Sequence, residues 1–101
     1  MFDFKDKIVM ITGAAGNLGK ATTFAFHSSG AKVAVVDRDR ENMQIVFGDE
    51  IAEDDYCYFT SANLLDEGSV AEMVAGIINH YGRIDVLVNI AGGFFAGTPV
   101  H

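Results

Sequence analysis

Three glycines near the start of the chain are the residues whose type and spacing point most directly to chemistry. Gly13, Gly16 and Gly19 follow the apolar run Ile8–Thr12, which reads as a buried strand, and a helical pattern begins among them. Glycine lets the backbone turn sharply and approach a ligand without a Cβ atom, and a helix start offers unpaired N–H groups to an anion. We therefore expect this turn to bind a phosphate group.

The spacing of these glycines leaves a second interpretation open. Gly16 follows Gly13 by three residues, whereas the first two glycines of the commonest dinucleotide-binding pattern, GxGxxG, are two apart. A glycine-rich turn can also be a plain connection between a strand and a helix. Residues further along the chain must decide between the two interpretations.

Asp37 ends the second apolar run, KVAVVD, about 20 residues after the glycine turn, as a dinucleotide site requires. A carboxylate at this point can accept hydrogen bonds from both hydroxyls of a ribose, whereas a 2′-phosphate would meet like charge. These properties favour NAD over NADP. Arg38 follows directly and could stack on adenine or attract a 2′-phosphate, and a solvated acid at a strand end is the remaining alternative for Asp37.

Alternating strand and helix patterns position these residues. Apolar runs predict strands at 8–12, 32–37, 56–60 and 84–91. Helices are predicted over 17–29, 40–47 and from Asp66 to Tyr81, with Asp39 and Asp66 as N-caps. Gly30, Gly48 and Gly82 are expected to end them.

The apolar positions of each helix predict the side that it packs on the sheet. In the first helix these are Leu18, Ala21 and Ala25, together with Ser28 and Ser29. In the second helix they are Met43, Ile45, Val46 and Phe47. In the third helix they are Val70, Met73, Val74, Ile77, Ile78 and Tyr81. We expect all of these to belong to the core.

Strands that alternate with helices through short loops imply right-handed crossovers and a parallel sheet. The fold class is therefore α/β, a doubly wound parallel sheet of four strands in the order 3-2-1-4 with helices on both faces. In this order the winding reverses between the first and fourth strands. A crevice should open there, between the turn 13–19 and the segment 89–93 that ends the fourth strand.

Composition excludes several classes of partner. The chain has 101 residues, half of them hydrophobic, and a net charge of −7, which argues against nucleic acids and anionic membranes. It shows no apolar run of membrane-spanning length and no signal-peptide pattern, so a cytoplasmic protein is expected. Its single cysteine, Cys57, reads as a buried structural thiol, and no metal site is predicted. Residues 1–101 are expected to form one dinucleotide-binding domain, with 92–101 as a loop after the fourth strand.

Four landmarks in this order resemble the short-chain dehydrogenase/reductase family, and the resemblance covers essentially the whole chain. They are the Thr12-Gly13 turn, the acid at Asp37, the pair Asn63-Leu64 and the run Asn89-Ile90-Ala91-Gly92. The resemblance implies a partial Rossmann-type fold and a nicotinamide dinucleotide, NAD rather than NADP, as cofactor. The cofactor-binding residues it implies are Gly13, Gly16, Asn17, Leu18, Gly19, Asp37, Arg38, Asn63, Leu64, Asn89, Ala91 and Gly92.

Three positions depart from the family's common pattern. Asn17 stands where the middle glycine usually stands, which gives a TGxxGxxG register similar to the family's extended branch. Asn tolerates left-handed backbone, so the turn is expected to survive. Asn63 replaces the usual aspartate near adenine and keeps an amide for the base edge. Ile90 replaces the second Asn of the NNAG motif.

Catalytic residues are not predicted in this chain. The resemblance implies an enzyme that transfers a hydride between nicotinamide and a carbonyl or alcohol substrate. In that family a Tyr acts as the acid/base, a Lys lowers the pKa of the Tyr and a Ser orients the substrate. The three tyrosines, Tyr56, Tyr58 and Tyr81, are followed four residues later by Thr, Ala and Asp, so no YxxxK motif is present. We expect the chain alone to be inactive, and a small-molecule substrate only in a full-length enzyme.

Two alternatives concern the whole protein. The chain is either the NAD-binding half of an oxidoreductase or a module, a scaffold or an inactive fragment without chemistry of its own. Its fourth strand would be central in a full-length family member, so here the outer edge of that strand should be unpaired. We expect either a missing C-terminal half or a homo-oligomer formed through this edge and the apolar pair Phe94-Phe95.

Overall fold

The computed structural model describes residues 4–48, 51 and 53–90. In chain order the elements are β1 (Ile8–Thr12), α1 (Asn17–Ser28), β2 (Lys32–Asp37), α2 (Arg40–Phe47), β3 (Cys57–Ser61), α3 (Glu67–Tyr81) and β4 (Val86–Asn89). The predicted alternation of strands and helices is confirmed. The predicted loop at 92–101 lies outside the described residues.

The four strands form one parallel sheet in the order β3-β2-β1-β4. This is the order that the sequence predicts, and the fold is Rossmann-like. In the register, Thr12 lies beside both Val36 and Asn89, so the carboxyl ends of β1, β2 and β4 lie level. The residues that follow these strands are thereby brought to one edge of the sheet.

Local signals fix the ends of the helices. The Asp39 carboxylate accepts hydrogen bonds from the N–H groups of Glu41 and Asn42, and Asp66 accepts one from Gly68. Gly30 and Gly82 follow α1 and α3 with φ of +87° and +89°, the left-handed backbone in which glycine is favoured. The predicted start and end of α2 are confirmed residue for residue.

Helices cover the two faces of the sheet. On one face, alternate residues of β1 and β2 pack with Met43 and Phe47 of α2 and with aromatic side chains of α1. On the other face, Met10, Ala34 and Val36 pack against Met73 and Ile77 of α3. Strands buried on both faces read as continuous apolar runs, which explains the pattern of β1 and β2.

The side of α1 that packs on the sheet differs from the prediction. Leu18 is 67% exposed, and Ala21 and Ala25 are exposed as well. The buried residues of this helix are Gly19 and Thr23, whose hydroxyl donates to the Gly19 carbonyl oxygen. Because α1 begins within the glycine turn, its first helical turn lies against that loop. Only a residue as small as Gly19 fits there.

In α2 and α3 as well, one apolar residue each that is predicted in the core is exposed. Ile45 of α2 is 81% exposed because Met43 and Phe47, four residues apart, direct the opposite side of the helix to the sheet. Ile78 of α3 is 44% exposed beside the buried Ile77. Periodicity alone does not separate the centre of an apolar stripe from its border.

The boundaries of the third and fourth strands differ from the predicted ones. The third strand is Cys57–Ser61 rather than 56–60, and Tyr56 is exposed. The fourth strand, predicted over 84–91, is Val86–Asn89 and has alternating half-buried and exposed residues. Ala91, its predicted end, lies outside the described residues.

Cys57 is fully buried at the start of β3, and this burial raises the pKa of its thiol to about 12. The prediction of a buried structural thiol is confirmed. Within the described part of the chain no group of side chains could hold a metal ion. None of the helices described there has the length and apolar character to cross a membrane.

Candidate functional site

The glycine turn closes tightly between β1 and α1. Gly13 adopts a φ of +70°, and a Cβ atom on it would overlap the carbonyl oxygen of Ile90, just after β4. A Cβ atom on Gly19 would overlap the carbonyl oxygen of Gly13. Gly16 is different, because the nearest atom to a Cβ there would be the Gly13 oxygen at 3.8 Å. Two glycines are therefore required by the fold, whereas a Cβ atom on Gly16 would make only ordinary van der Waals contact.

The positive φ of this turn lies at Gly13, and Asn17 is the first residue of α1 in right-handed helical backbone. The tolerance of Asn for left-handed backbone is therefore not used. Asn17 and Leu18 are both exposed in the first turn of the helix.

The N-terminus of α1 is electrostatically unlike those of the other two helices. Gly16 is its N-cap, no side chain of the described residues caps it, and its first turn has no acidic residue. In contrast, α2 and α3 begin with a capping aspartate and carry a glutamate in the first turn. The first turn of α1 therefore contains no acidic residue, and no described side chain caps its N–H groups, so these groups and the positive end of the helix dipole suit a phosphate.

Asp37 connects the end of β2 to the glycine turn. Its Oδ2 accepts a hydrogen bond of 2.9 Å from the Ala15 N–H, and its Oδ1 accepts one of 2.7 Å from the Arg38 N–H. The Ala14 N–H also donates to the Val36 carbonyl oxygen at 3.2 Å. A carboxylate has about four lone-pair positions, so each oxygen can still accept a second bond. The half-buried carboxylate thus shapes the turn and keeps acceptors for hydroxyl groups.

Asn89 ends β4 and is oriented by Thr12 of β1. The Thr12 hydroxyl donates to the Asn89 Oδ1 at 2.7 Å, and the Ile90 N–H donates to the Thr12 carbonyl oxygen at 3.2 Å. Because the amide oxygen is occupied by Thr12, the Asn89 NH₂ group is directed elsewhere as a donor. Asn89 is exposed at the point where the winding of the sheet reverses.

Asn63 lies in the connection between β3 and α3. Its Oδ1 accepts from the Leu65 N–H at 3.0 Å, and its own N–H donates to the Ser69 Oγ at 2.9 Å. One lone pair of the oxygen is used in this local turn, so the NH₂ group and a second lone pair of the amide remain for a ligand. Leu64 beside it is 39% exposed.

The predicted residues collect at one edge of the sheet. The turn 13–19, Asp37, Arg38, Asn63-Leu64 and Asn89 all follow the carboxyl ends of the four strands. The crevice of an open α/β sheet that binds ligands lies at this edge. Ala91 and Gly92, also predicted to bind cofactor, lie outside the described residues.

Sequence reasoning missed Ala15 and Ser69. Ala15 contributes its backbone N–H, which every residue except proline carries, so its type gives no signal. Ser69 is in the first turn of α3, and its hydroxyl reaches back to Asn63 six residues earlier. A serine just inside a predicted helix start was the only available sign.

The described part of this edge contains hydrogen-bond donors and the Asp37 carboxylate, but no tyrosine. Tyr56 precedes β3, at the opposite edge, and donates to Asp6 at 3.2 Å. Tyr81 ends α3, with its hydroxyl buried and without a partner among the described residues. The arrangement can bind an anion and a ribose, and it offers no acid/base pair.

Comparison with known proteins identifies a family that this chain resembles in sequence and fold. The sequence pattern of the family described as short chain dehydrogenase matches residues 7–100. The 3-oxoacyl-(acyl-carrier-protein) reductase of Thermotoga maritima is 38% identical over 86 residues, which are 85% of this chain and 35% of that protein. The rat (Rattus norvegicus) 15-hydroxyprostaglandin dehydrogenase, whose name specifies NAD(+), is 36% identical over 88 residues, which are 85% of this chain and 33% of that protein.

Solved structures agree. A 3-ketoacyl-(acyl-carrier-protein) reductase from Brucella melitensis, crystallised with NADH, superposes with a TM-score of 0.74 at 30% identity. The match covers 83% of this chain and 33% of the reductase. The chain therefore spans about a third of the length of the proteins it matches. Because the family pattern matches nearly all of its residues and its sheet superposes on a solved member, the chain belongs to the short-chain dehydrogenase/reductase family.

Proposed function

We propose that this chain is the NAD(H)-binding portion of an oxidoreductase that, when complete, transfers a hydride between nicotinamide and a carbonyl or alcohol substrate. The observation that carries the proposal is the Asp37 carboxylate, hydrogen-bonded to the glycine turn and still able to accept from hydroxyl groups. The name of the rat relative specifies NAD(+), and the Brucella melitensis reductase was crystallised with NADH.

The residues at this edge fit the parts of the cofactor. The uncapped start of α1 would hold the pyrophosphate, since its N–H groups have no side-chain acceptor in the described part of the chain. Asp37 would accept from the ribose hydroxyls, and Arg38, Asn63 and Leu64 would contact adenine. The Asn89 NH₂ group, which Thr12 orients through the amide oxygen, would donate a hydrogen bond to the cofactor at the β4 side of the crevice.

Preference for NAD over NADP follows from charge. A 2′-phosphate beside Asp37 would place like charges together, whereas a 2′-hydroxyl would donate to the carboxylate. Arg38 contributes the opposite tendency, but its N–H is the group that bonds Asp37 and its side chain is exposed. The carboxylate is therefore the nearer charge to the turn.

A second candidate is a dinucleotide-binding module that does no chemistry itself. It is favoured by one sequence observation, that no tyrosine of the 101 residues is followed four positions later by lysine. The intact mass of the natural protein, followed by a turnover assay with NAD and simple alcohols, distinguishes the two functions. Turnover supports the oxidoreductase, and binding without turnover by the intact protein supports the module.

Titration of NADH fluorescence, compared with NADPH, tests the cofactor proposal. We expect the wild-type chain to bind NADH more tightly. Asp37→Asn keeps an oxygen for the Ala15 N–H but removes the charge, so it should weaken NADH binding about tenfold and reduce the preference over NADPH. Glu41→Gln, which removes one exposed charge in α2, is the control and should change neither affinity.

Two results would contradict the proposal. If the wild-type chain binds neither dinucleotide at millimolar concentration, this portion does not hold the cofactor by itself. If NADPH binds more tightly than NADH, the assignment of specificity to Asp37 is wrong.

A further inference from the structure

Strand β3 forms one lateral edge of the sheet, which is distinct from the edge at the carboxyl ends of the strands where the candidate site lies. Groups of the same chain bond backbone groups that β3 turns outward. In this parallel strand the carbonyl oxygen of Tyr56 accepts from Val33, and the N–H of Ala62 donates to Asp37, both towards β2. Successive residues of a strand alternate direction, so the N–H and C=O groups of Cys57 and Phe59 point away from the sheet. An edge of this kind is a template for pairing with another strand.

By the same alternation Ser61 also points outward, and two of these three residues, Cys57 and Phe59, are already bonded. Cys57 exchanges two backbone hydrogen bonds with Asp54, of 3.0 and 3.3 Å. The Phe59 N–H donates to the Glu53 Oε2 at 3.1 Å, and the Phe59 carbonyl oxygen accepts from the Arg40 Nη1 at 2.7 Å. The backbone of Phe59, at the centre of the strand, is therefore satisfied entirely by side chains.

Arg40 and Glu53 also hold one another. Two guanidinium nitrogens of Arg40 donate to the two Glu53 oxygens, at 2.5 and 3.3 Å. Arg40 is the first residue of α2, and Glu53 lies in the connection before β3, so the pair joins two elements across the strand edge. Their side chains are 43% and 31% exposed, and an ion pair so exposed adds little stability by Coulomb attraction alone. Its specific effect is the occupation of the Phe59 backbone.

The opposite edge of the sheet has no such closure in the described residues. The Ile90 N–H donates to Thr12 of β1, so the alternate residues Leu87 and Asn89 turn their backbone groups outward. No described residue bonds these groups. Within the described residues, side chains therefore bond outward backbone groups of β3 and not those of β4.

We propose that Arg40 and Glu53 close the β3 edge against strand pairing with a second copy of this chain. The acidic side chains of Glu53, Asp54 and Asp55 add like-charge repulsion between two such edges. Removing the pair exposes one N–H and one C=O at the centre of a strand, the arrangement that a second copy can bond.

Amide hydrogen exchange at Phe59 and sedimentation velocity test this closure. In Glu53→Ala we expect the Phe59 amide to exchange about tenfold faster at low concentration, since a hydrogen bond to a charged acceptor is lost. At higher concentration the variant should associate more than the wild-type chain, and the Phe59 amide should become protected again. Glu72→Ala, which removes an exposed acid of α3, should change neither property.

Glu53→Gln separates closure from a general loss of fold. It removes the same charge but keeps an oxygen for the Phe59 N–H, so protection should persist and association should stay at the wild-type level. The proposal is overturned if the Phe59 amide exchanges freely in the wild-type chain. It is also overturned if Glu53→Ala associates no more than Glu72→Ala, or if its additional association leaves the Phe59 amide unprotected.

Discussion

Asp37 shows how one side chain can shape a binding turn before any ligand arrives. One carboxylate oxygen holds the N–H of Ala15 within the turn, and the other holds the N–H of Arg38. Both donors come from the backbone, so the carboxylate is fixed relative to the start of α1. A group that is already oriented loses less conformational entropy when it binds, which favours affinity.

At the same scale, alanine substitutions should separate glycines that the fold requires from one that it does not. Gly13→Ala and Gly19→Ala place a Cβ atom against backbone oxygen, and Gly13 also has a positive φ, so each should lower the free energy of unfolding by about 3 kcal/mol or more. Gly16→Ala should change it by less than about 1 kcal/mol, because only ordinary contact is made. Urea unfolding followed by circular dichroism measures all three. Equal losses at positions 13 and 16 would contradict the described geometry.

At the scale of elements, the start of β4 is fixed to the start of β1 by one carboxylate. The Asp85 Oδ2 accepts from the Ile8 N–H at 2.8 Å and from the Arg83 Nε at 2.9 Å. The Asp85 N–H in turn donates to the Ile8 carbonyl oxygen at 2.8 Å. The hydrogen bond from Ile8, with Arg83 beside it, holds the pKa of Asp85 below its ordinary value.

This depressed pKa predicts a pH dependence with a definite sign. The folded chain favours the charged carboxylate more than the unfolded chain does, so the stabilisation is present above the unfolded pKa of about 4 and is lost as the pH falls through the folded pKa. Asp85→Asn should be less stable at neutral pH and should lose less stability on acidification. Urea midpoints measured from neutral to acid pH, with Glu72→Gln as control, test it. Parallel curves for Asp85→Asn and wild type would contradict the assignment.

Helix ends and helix faces differ in how far the sequence predicts them. The ends of α2 and α3 follow from Asp39, Asp66 and Gly82, whose effects act within one turn of backbone. The buried side of α1 could not be found in this way. Gly19 carries no apolar side chain, and it is buried against the turn, where the Gly13 carbonyl oxygen leaves no room for a Cβ atom.

At the scale of the whole molecule, the chain spans about a third of the length of its relatives, and the described residues place β3 and β4 at the two sides of the sheet. On β4, exposed and half-buried residues alternate, and Leu87 is 60% exposed. In a parallel sheet both faces of a strand are normally covered. The described residues therefore leave one strand less covered than its neighbours.

Self-association through β4 is the prediction at this scale. The wild-type chain should sediment as a dimer or larger species at micromolar concentration, and Leu87→Lys should weaken the association about tenfold, since it replaces an apolar contact with a charge. Ile45→Lys, at an 81% exposed position on α2, is the matched control and should have no effect. A stable wild-type monomer would contradict the prediction. So would an equal effect of the two substitutions.

The sequence by itself determined the alternation of elements, the strand order and the residue types at the strand ends. Each of these depends on short-range signals: apolar runs, caps, turn glycines and the handedness of the crossovers. Only the tertiary structure decided that Asp37 bonds Ala15, that Thr12 orients Asn89 and that Arg40 and Glu53 occupy the backbone of Phe59. These bonds join residues 6 to 77 positions apart, and three of the four use backbone donors or acceptors, which residue type does not reveal. Packing, and no local pattern, brings them together.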